Sequence, residues 1–416
     1  MKIGIGYAND QNALRLGRKV AEDAMKNGRI NQPMLVIAFC GGQVDHNAYF
    51  KGLQTLVGRK TPIIGGSAIG IITNDILSYE GWPAGAAIIE SDSLQHIEAS
   101  AGNLHKDEKL AGYKFADKLS NTMDDKLLLI FYDSIKKAPT EKTPPVINAS
   151  PPLIAGIEEK LKLNVPIVGG GLIGDYEFNE TKQFCGASVE SQSVVGSLLG
   201  GDFKPYFSIM HGCVPKDGIY HTITRAKGPV VYEIDGKPAV DMIDHQYGSK
   251  EWSNQIPVRR LTVGVNYGEK FVDFKEDNFV NRLITGVLPG REGIVLFEPD
   301  LKEGTEILFM LRDNKMMMES AQKNSTQLFE KIIAKREKPV FGLYIDCAGR
   351  SAKTSETLTE EASEVQNIFN RYNAPLFGFY SGVEVAPLLG RSRGLDWTGV
   401  LLVLAENKLK LKKLLE

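Results

Sequence analysis

The sequence predicts an α/β fold of internally repeated strand–helix units, forming mixed sheets with flanking helices in two halves. Three observations predict it. First, a glycine-bearing phrase recurs: Pro62–Ile71 reads PIIGGSAIGI, Pro166–Tyr176 reads PIVGGGLIGDY and Pro375–Val385 reads PLFGFYSGVEV. Internal repetition of this kind sets architecture before any single motif does. Second, continuous Val/Ile/Leu runs alternate with helix-like stretches, as strands covered on both faces require. Third, the phrases begin at Pro62, Pro166 and Pro375, so they stand 104 and then 209 positions apart. The second interval is about double the first, so the last repeat carries extra structure.

The elements follow in order. Lys2–Gly6 is a short apolar start. Asn12–Asn27 has helical spacing through Leu14, Val20, Ala21, Ala24 and Met25, with Gly28 as its expected cap. Pro33–Phe39 (PMLVIAF) predicts a buried strand bounded by Gly41-Gly42, and Asn47–Val57 a helix leading into the first phrase. An apolar run, Gly85–Glu90 (GAAIIE), follows the phrase. The second unit repeats this order with a strand at Lys126–Tyr132, a helix at Pro152–Leu163, the phrase, and the run Gly186–Glu190 (GASVE). The third offers a strand at Glu306–Leu311, a helix around Met317–Lys335, a strand at Val340–Asp346 and a helix around Leu358–Tyr372. Its phrase and the run Gly399–Leu404 (GVLLVL) come last. The extra stretch, roughly Pro205–Lys302, contains Thr222–Arg225, Val230–Gly236, Arg260–Val265 and Gly293–Phe297. These predict strands of a second sheet with tight turns such as Asp235-Gly236. Gly228-Pro229 marks the expected boundary, dividing the chain into domains 1–227 and 228–416.

Composition bounds the function. The chain has 416 residues, too many for one ordinary core, so two or three domains are expected. A formal net charge of -2 argues against a nucleic-acid binder. No apolar run approaches the roughly 18 residues of a membrane span. The start, MKIGIGYANDQ, lacks the apolar stretch of a signal peptide. A cytoplasmic protein without a transmembrane segment is therefore expected. Cys40, Cys185, Cys213 and Cys347 are scattered with no CxxC, which argues against a disulfide framework or structural zinc. The six histidines form no HxxxH or HExxH pattern.

Several segments offer chemistry. Gly169–Gly174 satisfies GxGxxG after a strand, but the polar stretch Asp175–Lys182 follows where a nucleotide-binding helix should begin. The glycines read as a tight turn instead. Gly349–Thr354 ends like a P-loop but lacks the glycine before its lysine. His211, in Met210–Pro215, is a weak candidate ligand for haem or a metal, against the plainer reading of a hydrogen-bonded, half-buried side chain. Cys347 follows a strand and stands near Arg350; a lowered pKa would make it a nucleophile, and burial would make it inert. The third phrase brings Tyr380, Ser381 and Glu384, followed by Arg391, Arg393, Asp396 and Thr398. Arginines among carboxylates and hydroxyls suit a small zwitterion or carboxylate, and equally a salt-bridged surface loop. The candidate ligand site joins Gly65, Gly66, Ser67, Gly170 and Gly171 of the glycine turns to Cys347, Arg350, Tyr380, Ser381 and Glu384.

Cys347-Ala348-Gly349-Arg350, then a polar helix with Glu361 and Glu364, then Pro375–Glu384 and an apolar final strand, resembles the C-terminal half of FIST-domain proteins. Pro62–Ser67, His211–Pro215, Thr222–Arg225 and Glu233–Ala239 are similar to other parts of that family. The resemblance implies an intracellular sensory or signal-transduction module that binds a small ligand; the arginines above point to a small molecule such as an amino acid or carboxylate. It implies output through a separate partner: a histidine kinase, a chemoreceptor or a cyclic-dinucleotide enzyme. No catalytic role and no cofactor are expected. The alternatives are a cysteine-dependent enzyme and a haem-based nitric oxide sensor ligated by His211. The tail Asn407–Glu416 (NKLKLKKLLE) reads as a basic amphipathic helix, either solvated or docked on a partner or membrane surface.

Overall fold

Each phrase forms a strand, and each lies parallel to the strand that precedes it in its unit. Ile63–Ala68 pairs with Leu35–Gly41, Ile167–Leu172 with Asp125–Asp133, and Leu376–Ser381 with Glu337–Cys347. A helix makes each crossover: His46–Val57, Ser150–Leu161 and Ala362–Arg371. The computed structural model describes residues 1–119, 124–140, 145–161, 165–255, 257–355 and 358–407.

Two antiparallel strands widen each parallel pair. The inner ones are Pro83–Glu90, Val194–Gly200 and Gly399–Asn407; the outer ones are Lys2–Asn9, Gln95–Ala101 and Lys204–Met210. The far edge of each sheet is completed by a hairpin from another unit. The hairpin after the first phrase, Ile71–Thr73 with Leu77–Ser78, pairs with Leu376–Ser381 of the third sheet. The one after the second phrase, Gln183–Gly186 with Ser188–Glu190, pairs with Ile63–Ala68 of the first. The one after the third, Val383–Leu388 with Arg391–Leu395, pairs with Ile167–Leu172 of the second. The exchange is cyclic, and it locks three sheets into a ring. Covered edges cannot recruit foreign strands.

The repeated phrase has a steric cause. A Cβ on Gly65, Gly169 or Gly378 would stand 2.0, 1.7 or 2.3 Å from the carbonyl oxygen of Ala38, Ile130 or Tyr344 on the neighbouring strand. The parallel strands therefore approach closely only over glycine. The inner faces of the sheets meet at Phe39, Phe131 and Phe379. The Phe39 ring centroid lies 3.8 Å from that of Phe379 and 5.1 Å from that of Phe131. Helices cover the outer faces. Ala13–Gly28 packs on His46–Val57 through Gly17 and Gly52, and Glu108–Asp117 packs on Ser150–Leu161 through Gly112 and Gly156.

The extra structure of the third unit lies between Lys204–Met210 and the long helix Asn314–Ala334. It forms a nine-stranded sheet with its own core, including Ile223, Trp252, Val263 and Phe309. The predicted second sheet is thus present, with its limits moved. Lys204–Met210 belongs to the third repeat, pairing with Gly399–Asn407. Glu306–Arg312 belongs to the inserted sheet, pairing with Leu261–Asn266. Gly228-Pro229 is the turn of a hairpin within that sheet, where Lys227 faces Val230.

Three local expectations change. Arg29 (φ 50), not Gly28, ends the first helix, its N–H bonding to the carbonyls of Lys26 and Met25. Gly28 remains helical because it packs on Gly4, where a Cβ would meet backbone at 2.6 Å. Gly186–Glu190 does not close the second sheet; Gly186 (φ +60) turns a hairpin, and Val194–Gly200 is the closing strand. The last third-unit helix starts at Ala362. Residues 162–163 and the tail 408–416 lie outside the described residues. Among the described residues, no helix is long and apolar enough to cross a membrane.

Candidate functional site

The parallel strands of the third unit end side by side, Cys347 opposite Ser381. A single turn, Ala348–Arg350, then swings Arg350 back into the protein, where it is 1% exposed. Nε and Nη2 of Arg350 both donate to the carboxylate of Glu361. Nη1 donates to the carbonyls of Trp397, at 2.6 Å, and His211, at 3.1 Å. Asp346 Oδ1 lies 3.4 Å from Nε. The guanidinium fork is thus committed to internal acceptors. Burial and the adjacent Glu361 push the Asp346 carboxyl well above the usual carboxylate range.

Around this clamp sit the other third-phrase residues. Ser381 Oγ donates to Glu384 Oε1 at 2.8 Å, and Thr398 N donates to Glu384 Oε2 at 3.1 Å. Burial pushes the Glu384 carboxyl well up. The Tyr380 hydroxyl donates to Glu360, and its backbone bonds to Ile69 and Gly70 of the first unit. Cys347 is buried beside Leu283 and Trp397. Burial and Glu384 raise its thiol far above the ordinary value, the opposite of an activated nucleophile.

The structure brings Cys347, Arg350, Tyr380, Ser381 and Glu384 together. Gly170 and Gly171 border them: a Cβ on Gly170 would lie 2.7 Å from the Val383 carbonyl oxygen, and one on Gly171 2.1 Å from Ser134 Oγ. Gly65, Gly66 and Ser67 lie elsewhere. A Cβ on Gly66 would meet the Lys182 carbonyl oxygen at 2.1 Å. Ser67 Oγ lies 2.8 Å from Nε2 of His46 and accepts from Lys182 N at 2.9 Å. Burial lowers the His46 pKa to about 4, so the ring is neutral in its contact with Ser67. Sequence reading assigns His46 no role, since its partner is 21 positions away.

His211 stands where the chain enters the inserted sheet. Its Nδ1 accepts from Cys213 N at 2.9 Å, and its Nε2 donates to the Glu276 carbonyl at 2.9 Å. Burial lowers its pKa, consistent with this neutral tautomer. The Glu276 carboxylate accepts from the His211 and Gly212 amides, Ser320 Oγ and Asn324 Nδ2. Both ring nitrogens of His211 are engaged, so the residue does not fit a haem iron. Among the described residues, no His/Cys/Asp/Glu group is placed to hold a metal.

A cleft of about 450 Å³ opens where three parts of the chain meet. Helix Ser150–Leu161 contributes Glu158; the inserted module contributes Tyr267, Arg282, Asp300 and Lys302; strand Arg391–Leu395 contributes Arg391 and Arg393. Strand alternation separates the arginines from Ser392, whose Oγ accepts from Ile167 N at 2.9 Å. Arg391 pairs with Glu158 at 3.0 Å. Arg282 grips Asp300 through Nε at 2.7 Å and Nη2 at 2.5 Å, and reaches Asp396 at 3.2 Å. Arg393 lies over the Tyr267 ring, 3.6 Å from its centroid, and its buried Nε has no partner among the described residues. The lining carries four cationic and two anionic side chains. The sequence names Arg391 and Arg393 for a carboxylate; nothing in it links them to Tyr267.

Two family models match the chain: the FIST N domain over residues 34–237 and the FIST C domain over 239–387. An uncharacterised protein of Methanocaldococcus jannaschii is 25% identical over 333 residues, covering 74% of this chain. The chain spans only about 60% of that relative's length. Among solved structures, cyanuric acid hydrolase of A. caulinodans is 9% identical and has a TM-score of 0.33, covering 98% of this chain and 99% of its own. PurLQS from Thermotoga maritima is 7% identical and has a TM-score of 0.22, covering 97% and 72%. At these scores the structural likeness carries no argument.

Proposed function

Because the chain belongs to the FIST family, which is associated with sensing in signal transduction, we propose that it is a small-ligand sensor acting through a separate partner. The ligand is a small carboxylate or zwitterion such as an amino acid, held in the cleft between helix Ser150–Leu161, strand Arg391–Leu395 and the inserted module. The observation that carries this reading is Arg393. Its guanidinium is oriented by the Tyr267 ring, and its buried Nε has no partner among the described residues. Arg393 lines the cleft with no ion-pair partner among the described residues, and a ligand carboxylate would supply one. Glu158, whose Oε2 pairs with Arg391, would receive an ammonium group through Oε1. A ligand bridging three parts of the chain signals if it prefers one of their arrangements. A histidine kinase, chemoreceptor or cyclic-dinucleotide enzyme would read the change.

The test is calorimetry and thermal shift with a panel of amino acids and small carboxylates. A ligand at about 100 times its Kd adds about 2.7 kcal/mol to stability, a rise of a few degrees in Tm. Arg393→Ala should weaken its binding at least about tenfold, the scale of one lost charge-assisted hydrogen bond, and leave the unliganded melt near wild type. A panel with no binder, or an Arg393→Ala protein that binds equally well, removes the proposal. The alternatives gain less support: the Cys347 thiol is buried and raised, and both nitrogens of His211 are occupied.

A further inference from the structure

Hairpin Val383–Leu395 has a second side. Arg391 and Arg393 line the ligand cleft, while Leu388 and Leu389 line a separate groove of about 380 Å³. The floor of that groove is apolar: Ile209, Leu328 and Leu388 are buried there. Its lips, Phe274 and Leu389, are 42% and 58% exposed. The loop that supplies Phe274 also leaves Phe271 90% exposed. Exposed large apolar side chains rimmed by polar residues are the kind of anchor a partner uses.

The charge beside it is basic. Lys275, Lys323 and Lys331 line the groove, and none has an ion-pair partner among the described residues. Lys323 and Lys331 stand on one face of the long helix Asn314–Ala334, with Gln327 between them. The Glu276 carboxylate on the lining is turned inward, accepting from His211, Gly212, Ser320 and Asn324. Glu276, ionised but held by neutral donors beneath the lining, and Asp277 offset part of the three lysines, which leaves the groove net positive.

We propose that this groove docks an acidic segment of a signalling partner, anchored by apolar side chains between Phe274 and Leu389. Charge complementarity selects this occupant. The chain's own tail, 408–416, carries four lysines and one glutamate, the wrong sign for a lysine-lined groove. A second copy in an isologous contact would set lysine against lysine. A flat lipid surface does not reach the recessed floor. Docking stands apart from the ligand reading; only its coupling to the cleft, through the shared hairpin, rests on that reading.

The experiment selects displayed peptides of about a dozen residues on the full-length chain. Each clone is then rebound to the Lys323→Glu/Lys331→Glu double variant and to Leu389→Asp. The expected clones are net negative with two or more large apolar residues. They lose at least tenfold in affinity to both variants and weaken with salt, as exposed charge pairs do. None of the substituted residues lines the cleft, so ligand-induced thermal shifts should persist in these variants. That keeps failure of docking distinct from failure of sensing. The proposal is overturned by neutral or basic clones, by clones indifferent to the charge reversal, or by no enrichment. It is equally overturned if the lysines instead govern capture by phosphatidylserine vesicles, or if Leu389→Asp abolishes a self-association seen in sedimentation.

Discussion

Arg350 Nη1 donates to the carbonyl oxygen of His211, 3.1 Å away, and so ties the third repeat to the point where the chain enters the inserted sheet. The same guanidinium neutralises Glu361 and stands beside Asp346, all three fully buried. Arg350→Ala leaves buried acid without its counter-charge and should cost roughly 3–5 kcal/mol. Arg350→Lys should recover only part, since one ammonium cannot reproduce the fork. Urea melts measure both; an Ala variant as stable as wild type would show that the clamp contributes nothing.

Ser67 and His46 give a pH signature. Burial holds the folded His46 pKa at about 4, against 6.5 for a free histidine. The unfolded chain therefore binds a proton that the folded chain refuses between those values. Stability is complete above pH 6.5 and falls as pH drops toward 4, by about 3 kcal/mol for a difference of this size. His46→Gln keeps a hydrogen-bonding group near Ser67 but cannot titrate. Its stability should decline less than wild type between pH 6.5 and 4.5 in denaturant melts. Parallel declines would count against the assignment.

Glu298 runs the other way. It is 1% exposed and accepts from Ser150 N at 3.2 Å at the start of helix Ser150–Leu161. Burial and then the nearby Asp396 push its carboxyl up. The folded state keeps a proton that the unfolded state releases, so wild type loses stability as pH rises from about 4.5 through the raised folded value. Glu298→Gln should match wild type near pH 5 and exceed it at pH 8 by roughly 1 kcal/mol or more, since a tenfold change in proton affinity is worth about 1.4 kcal/mol. Equal stability of the two proteins at pH 8 would sink this reading.

The legible parts of the fold are those whose causes are local in sequence. The phrase recurs because its first glycine must pass a carbonyl of the strand just before it in the same unit. The hairpin exchange has no such trace. Ile71–Thr73 is a three-residue run buried throughout, and nothing in it names Leu376–Ser381 as its neighbour. GASVE passes for a closing strand because Gly186 (φ +60) supplies a turn that apolar pattern alone does not announce. At the site, Arg350 has the chemistry of a ligand clamp, but Glu361, immediately before helix Ala362–Arg371, already fills it. Arg393 is legible as a carboxylate binder, while Tyr267, which orients it, arrives from the inserted sheet.

The steric account of the phrase makes its own prediction. On Gly169, a Cβ would stand 1.7 Å from the Ile130 carbonyl oxygen, and both atoms belong to backbone held by a parallel ladder. No rotamer change relieves that contact, so the strands must separate. Gly169→Ala should destabilise by about 3 kcal/mol or more, at the upper end of overpacking costs. Gly286 is the control. It too lies in a strand, Ile284–Val287, but a Cβ there meets nothing within 4 Å. Gly286→Ala should fall within about 0.5 kcal/mol of wild type, as unconstrained surface changes do. Gly65→Ala and Gly378→Ala should follow Gly169→Ala, because their Cβ atoms would meet the Ala38 and Tyr344 carbonyl oxygens at 2.0 and 2.3 Å. Thermal melts of the four variants separate the two accounts of the repeat. If the phrase glycines served only a ligand, the three phrase variants would melt with Gly286→Ala and lose binding alone.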